Sequence, residues 1–105
     1  MERESTPLHV ETDSDGTILL SGELDMATVK LLEETIAEVM RPGQPIVIDM
    51  AALNYIDSSG LGLLVWIHQQ SGERVVICNP SRQVRRVLEI MDGRAKPEAW
   101  VIQAG

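Results

Sequence analysis

The chain has 105 residues, of which nine are Lys or Arg and sixteen Asp or Glu, for a formal charge of −7, and 44% are apolar. That length suits one domain with one core, and the apolar share is ordinary for a folded chain, which excludes disorder as the default. The charge excludes nucleic acid as a partner, because such binding runs on Lys and Arg neutralising phosphates; an acidic chain is instead steered toward a basic protein surface.

No apolar run approaches the ~20 residues that span a bilayer, so no membrane role is expected. Met1-Glu2-Arg3-Glu4 leads into no apolar stretch and carries no secretory signal. A single cysteine, Cys78, excludes an internal disulfide and a thiolate metal cluster; within Val75-Val76-Ile77-Cys78 it reads as a buried, inert thiol. A cytoplasmic location is expected.

Taken in chain order, His9 to Thr12 and residues 17–21 are short β-type runs joined by Asp13-Ser14-Asp15-Gly16, a hairpin signal. From Met26 the period becomes helical, with Val29, Leu32, Ile36 and Val39 on one face. Asp25 is placed to cap that helix and Pro42-Gly43 to stop it. Residues 45–49 form a short buried strand, and Leu53-Asn54-Tyr55-Ile56 an apolar connector. A second, very apolar helix starts at Ser58 or Ser59, runs to about Gln70 and ends at Ser71-Gly72. Residues 73–78 are a strand. Asn79-Pro80-Ser81 introduces a third helix with Val84, Val87, Leu88 and Met91 inward and Gly93 beyond its end, and residues 99–103 close as a strand. The order β-β-α-β-α-β-α-β is an α/β fold with one mixed sheet.

The usual catalytic arrangements are missing, so no enzyme, cofactor or metal is expected. His9 and His68 have no His or Cys at ligand spacing and read as surface or edge residues. Ser59-Gly60-Leu61-Gly62 is too short for a nucleotide loop and lacks its lysine. The basic cluster Arg82, Arg85 and Arg86 reads as a solvated helix face with local pairs such as to Glu89.

The informative stretch is Asp57-Ser58-Ser59-Gly60-Leu61-Gly62, where two hydroxyls open a helix whose first N–H groups lack partners. Two readings stand beside each other. In one, Asp57 or Ser58 caps the helix, and Gly60 and Gly62 allow close packing. In the other, an exposed serine there accepts a phosphate that the helix dipole tolerates. The added charge of about −1.5 to −2 beside Asp57, with Glu23 and Asp25 near, changes what docks while leaving the fold intact. Leu61, Leu63, Leu64, Val65, Trp66 and Ile67 leave this helix little polar face, so part of it is either a docking patch or covered by neighbouring helices. Gly62 leaves room for a partner backbone.

Two blocks carry a family resemblance: Gly22-Glu23-Leu24-Asp25, and Ile46-Val47-Ile48-Asp49 followed by Tyr55-Ile56-Asp57-Ser58-Ser59-Gly60-Leu61-Gly62. With Val75-Val76-Ile77-Cys78-Asn79-Pro80 and the third helix, the chain resembles the STAS domain family, and within it the stand-alone anti-sigma factor antagonists. The likeness covers about residues 8–103 of a single domain at 1–105. It implies a mixed sheet of four to five strands with helices packed mainly on one face. It also implies a mechanism. The serine after the aspartate, Ser58 here with Ser59 as the alternative, is phosphorylated by an anti-sigma factor serine kinase that binds the ATP. The unphosphorylated form binds the kinase and releases the sigma factor, phosphorylation prevents this, and a PP2C-type phosphatase resets it. Glu23, Asp25, Asp57, Ser59, Gly60, Leu61 and Gly62 are the implied partner-binding positions, on a monomer or a homodimer. Two departures accompany the resemblance. The residues 93–97 differ from the hydrophobic run that usually follows the third helix, and no fourth helix follows the last strand. The alternative function is a STAS scaffold module of a stress-signalling or sensory assembly that does not act through sigma release.

Overall fold

The structure, a computed structural model, describes residues 7–92 and 100–103. Strands β1 (His9–Thr12) and β2 (Ile18–Leu24) form an antiparallel hairpin. The Asp13 carboxylate closes it by accepting from the Asp15 and Thr17 N–H groups at 2.9 and 3.0 Å, and Gly16 takes the left-handed φ of 85° that the loop requires. Helix α1 (Val29–Val39), strand β3 (Ile46–Ile56), helix α2 (Ser58–Ser71), strand β4 (Val75–Cys78), helix α3 (Arg82–Asp92) and strand β5 (Trp100–Gln103) follow.

The sheet order is β1-β2-β3-β4-β5, with every pair after the hairpin parallel. Each β-α-β unit therefore steps one strand in the same direction, and because such crossovers are right-handed, all three helices lie on one face. That face holds the core. Ile18, Leu20, Leu24, Ile48, Met50, Val75 and Ile77 from the strands meet Leu32, Ile36, Leu64, Val84 and Leu88 from the helices. The opposite face carries the alternate residues Leu19, Val47, Val76 and Val101, none of them buried, with Val47, Val76 and Val101 in one cross-strand row.

The expected mixed α/β sheet and its element order are what the structure shows, with local corrections. β3 runs on to Ile56 through the segment read as a connector, pairing Gly22 with Leu53 and Leu24 with Ile56; the polar Asp49 and Asn54 lie at non-core positions and so broke the apolar run without breaking the strand. β2 likewise extends to Leu24. α1 begins at Val29, and residues 26–28 form a turn. Cys78, expected to be buried, is half-buried at the end of β4. In α3 Val84 and Leu88 are buried and Val87 packs partly against the core, while the Met91 side chain and residues 93–97 lie outside the described residues. Among the described residues no helix is long and apolar enough to cross a membrane.

Candidate functional site

Strands β2 and β3 are parallel neighbours, so their C-terminal ends deliver Glu23-Leu24-Asp25 and Tyr55-Ile56-Asp57 to the same end of the sheet. The Asp57 N–H donates to the Leu24 carbonyl at 3.2 Å and ties the two segments together. Gly22 sets the first segment. Its φ is 94°, a register shift follows it in the β2–β3 ladder, and a Cβ there would collide with the Pro7 carbonyl.

Asp25 works as a turn cap and not as the cap of α1 itself. Its Oδ1 accepts from the N–H groups of Ala27 and Thr28 at 3.0 and 3.1 Å, while the Thr28 hydroxyl accepts from the Asp25 N–H and donates to the Glu23 carbonyl. The N-cap of α1 is Thr28, which makes no side-chain cap bond. This reciprocal network fixes residues 23–28 and lifts Met26 out, 78% exposed.

Asp57 is the N-cap of α2. Its Oδ1 accepts from the Ser59 and Gly60 N–H groups at 2.9 and 3.3 Å. Capping by Asp57 leaves Ser58 out of that job. Ser58 is exposed at the first helical position, and among the described residues its hydroxyl has no hydrogen-bond partner; Ser59 is half-buried. Capping thus falls to Asp57, and the Ser58 hydroxyl is left exposed beside it.

Of the expected docking positions, the structure brings Glu23, Asp25, Asp57, Ser58, Ser59 and Gly62 to the surface or its edge, and takes two into the core. Gly60 is buried, where a Cβ would stand 2.9 Å from side-chain carbons of Leu24 and Ile56, and Leu61 is 3% exposed. Both lie at the helix start against the core, away from the surface where docking was expected. Gly62 is the reverse case: it is exposed with nothing within 4 Å of a Cβ. Ser58, Gly62 and Trp66, each one turn after the last, form an exposed line along α2, with Gln69 and Gln70 exposed beyond them. The rest of the apolar set is covered, since Leu63, Leu64 and Ile67 are buried and Val65 partly so.

Beside Ser58 lies an open concavity of about 500 Å³ lined by the carboxylates of Glu23, Asp25 and Asp57, with Met26, Asn54 and Tyr55. Reasoning from sequence missed Met26 and Tyr55 as contributors. Tyr55 is 49% exposed because the register shift in the β2–β3 ladder turns both Leu53 and Ile56 inward and leaves Asn54 and Tyr55 facing out, which no regular strand period signals. The combination is an acidic rim around exposed carbon, suited to a cationic protein surface with an apolar centre.

Elsewhere, His9 is exposed on β1, and His68 Nδ1 sits 2.8 Å from the Glu73 carbonyl at the end of α2. Arg85 pairs with Glu89 at 3.1 Å, as the helical spacing implied. No group of three or more His, Cys, Asp or Glu able to hold a metal occurs among the described residues.

Comparison with known proteins adds three findings. The STAS domain family model matches residues 7–97. The anti-sigma-B factor antagonist of Staphylococcus aureus (strain NCTC 8325 / PS 47) is 32% identical over 90 residues, covering 79% of this chain and 83% of that protein; the namesake of Staphylococcus epidermidis is 31% identical over the same lengths. Among solved structures, the anti-sigma factor antagonist SpoIIAA in its unphosphorylated form superposes with a TM-score of 0.65 at 22% identity, covering 93% of this chain and 87% of that one.

Proposed function

The chain belongs to the STAS domain family, and from that premise we propose that it is an anti-sigma factor antagonist switched by phosphorylation of Ser58. Its unmodified form binds an anti-sigma factor serine kinase and thereby releases the sigma factor. The observation that carries this reading is the division of labour in the block: Asp57 caps the helix, which leaves the Ser58 hydroxyl exposed beside an acidic and apolar concavity.

The chemistry follows from that position. With ATP and Mg²⁺ held by the kinase, the Ser58 oxygen attacks the γ-phosphorus, ADP leaves, and the hydroxyl proton passes to a base on the kinase. Asp57 is committed to the Ser59 and Gly60 N–H groups and supplies the geometry, not the base. A phosphate at the first turn of α2 is favoured by the helix dipole, so the fold persists. Docking does not persist. A serine that is phosphorylated in the complex faces the nucleotide, so its new charge of about −1.5 to −2 faces the phosphates of ADP across a desolvated contact. A PP2C-type phosphatase then restores the hydroxyl. In the same reading residues 1–105 are one domain with its core at about 8–103, working in the cytoplasm as a monomer or homodimer, with Ser59 as the alternative phosphoacceptor.

The test is the affinity of the purified kinase for three forms of the chain with Mg-ADP present. Ser58→Ala should bind as the parent does. Ser58→Asp should bind at least about thirtyfold more weakly, the range for placing an unpaired charge in an interface. Equal binding by all three would rule out the switch and favour the constitutive scaffold module.

A further inference from the structure

A second feature lies farther along the same pair of helices. α1 and α2 follow parallel strands and run side by side, and their C-terminal halves leave a groove of about 190 Å³ between them. Ile36, Ala37 and Met40 of α1 form one wall, and Trp66 and Ile67 of α2 the other. Trp66 is 48% exposed and Met40 37%, so two large apolar side chains meet solvent at the edges of the groove. Among the described residues Glu33 is the one charged side chain lining the groove, and the exposed Glu34 and Glu38 lie near it on α1.

Resting on the function proposed above, we infer that this groove is a second anchor for the same partner, taking one large apolar side chain from a helix of that partner flanked by Lys or Arg. Two arguments select the occupant. Charge complementarity requires a cation over Glu33, and the volume holds one side chain of leucine or methionine size. Reach selects the partner: Trp66 is about 12 Å from Ser58 along the axis of α2 at ~1.5 Å per residue. A standard interface covers about 800 Å² per side, a disc of roughly 16 Å radius, so one centred on Ser58 extends over Trp66. The same 12 Å exceeds the Debye length of about 8 Å at physiological salt, so the anchor is insensitive to the charge on Ser58. The division is between a switch at the start of α2 and a constant hold at its end.

The test needs no kinase. The ¹⁵N-labelled chain is titrated at physiological salt with an amphipathic helical peptide of leucine and lysine, and separately with its leucine and glutamate counterpart. The two indole N–H signals are read, Trp66 at the groove and Trp100, which is 5% exposed, as the internal reference. The Leu/Lys peptide should shift Trp66 saturably and leave Trp100 in place, with the same affinity for Ser58→Asp. It should bind at least about tenfold more weakly to Ala37→Arg, which fills the groove from an exposed helix position. A shift confined to Asp25, Tyr55 and Asp57, equal binding of both peptides, or parent-like affinity of Ala37→Arg would overturn the groove. Those results leave the Ser58 switch standing. With the kinase itself, Ala37→Arg should lose about tenfold in both the Ser58→Ala and parent backgrounds, and a kinase indifferent to Ala37→Arg would overturn the shared partner.

Discussion

The proposed switch rests on two glycines and an aspartate at the start of α2 that do different things. Gly60 faces inward against Leu24 and Ile56 at 2.9 Å, so Gly60→Ala overpacks a core seam and should cost about 1–3 kcal/mol. Gly62, one turn from Ser58, meets open space; Gly62→Ala should stabilise the helix by about 0.5–1 kcal/mol. Urea unfolding of the pair checks both signs, and equal effects would contradict the assignment of faces. Asp57→Ala removes the cap from the Ser59 and Gly60 N–H groups and should cost about 1 kcal/mol in the same assay. Ser58→Asp should cost nothing and gain up to about 1 kcal/mol from the helix dipole. A variant that binds no partner while unfolding later than the parent separates loss of docking from loss of fold.

At the scale of elements, the hairpin, the three helices and the order of elements along the chain were legible because each rests on a local signal: Asp-Gly at the loop, helical spacing of Val29, Leu32 and Ile36, and the Ser-Gly stop after α2. The length of β3 was not legible. Its second half alternates around an irregular ladder, with Ala51 and Ala52 both exposed before Leu53, so no period of two survives for a reader of the sequence to find. The Asp57-Ser58-Ser59-Gly60 site was legible as a motif, but which residue caps and which is presented depends on the path of the backbone at Asp57. Burial of Leu61 had the same cause, since the apolar helix gave no polar face from which to set its rotation. The β2 bulge is the element that places Glu23 and Asp25. Gly22→Ala should therefore destabilise by more than the ~1 kcal/mol of a left-handed residue alone, because its Cβ also meets the Pro7 backbone. A variant as stable as the parent in thermal unfolding would show that the bulge relaxes freely.

For the whole molecule, stepping one strand at a time in one direction packs the described helices on one face and brings the C-terminal ends of β2 and β3 to one end, so the proposed docking site is assembled from consecutive units. The net charge of −7 acts over the whole surface. Association with a basic partner should slow by about tenfold or more between low and high salt while dissociation changes little, as stopped-flow mixing would read; a salt-independent rate would contradict electrostatic steering. The most direct measurement of the central claim is phosphopeptide mass spectrometry. The purified chain is incubated with Mg-ATP and a cytosolic extract of its own source organism, with Ser58→Ala alongside. Phosphate is expected on Ser58 in the parent and is absent from position 58 in the mutant. An unmodified peptide in the parent, with the kinase in the extract shown to be active, would contradict that claim.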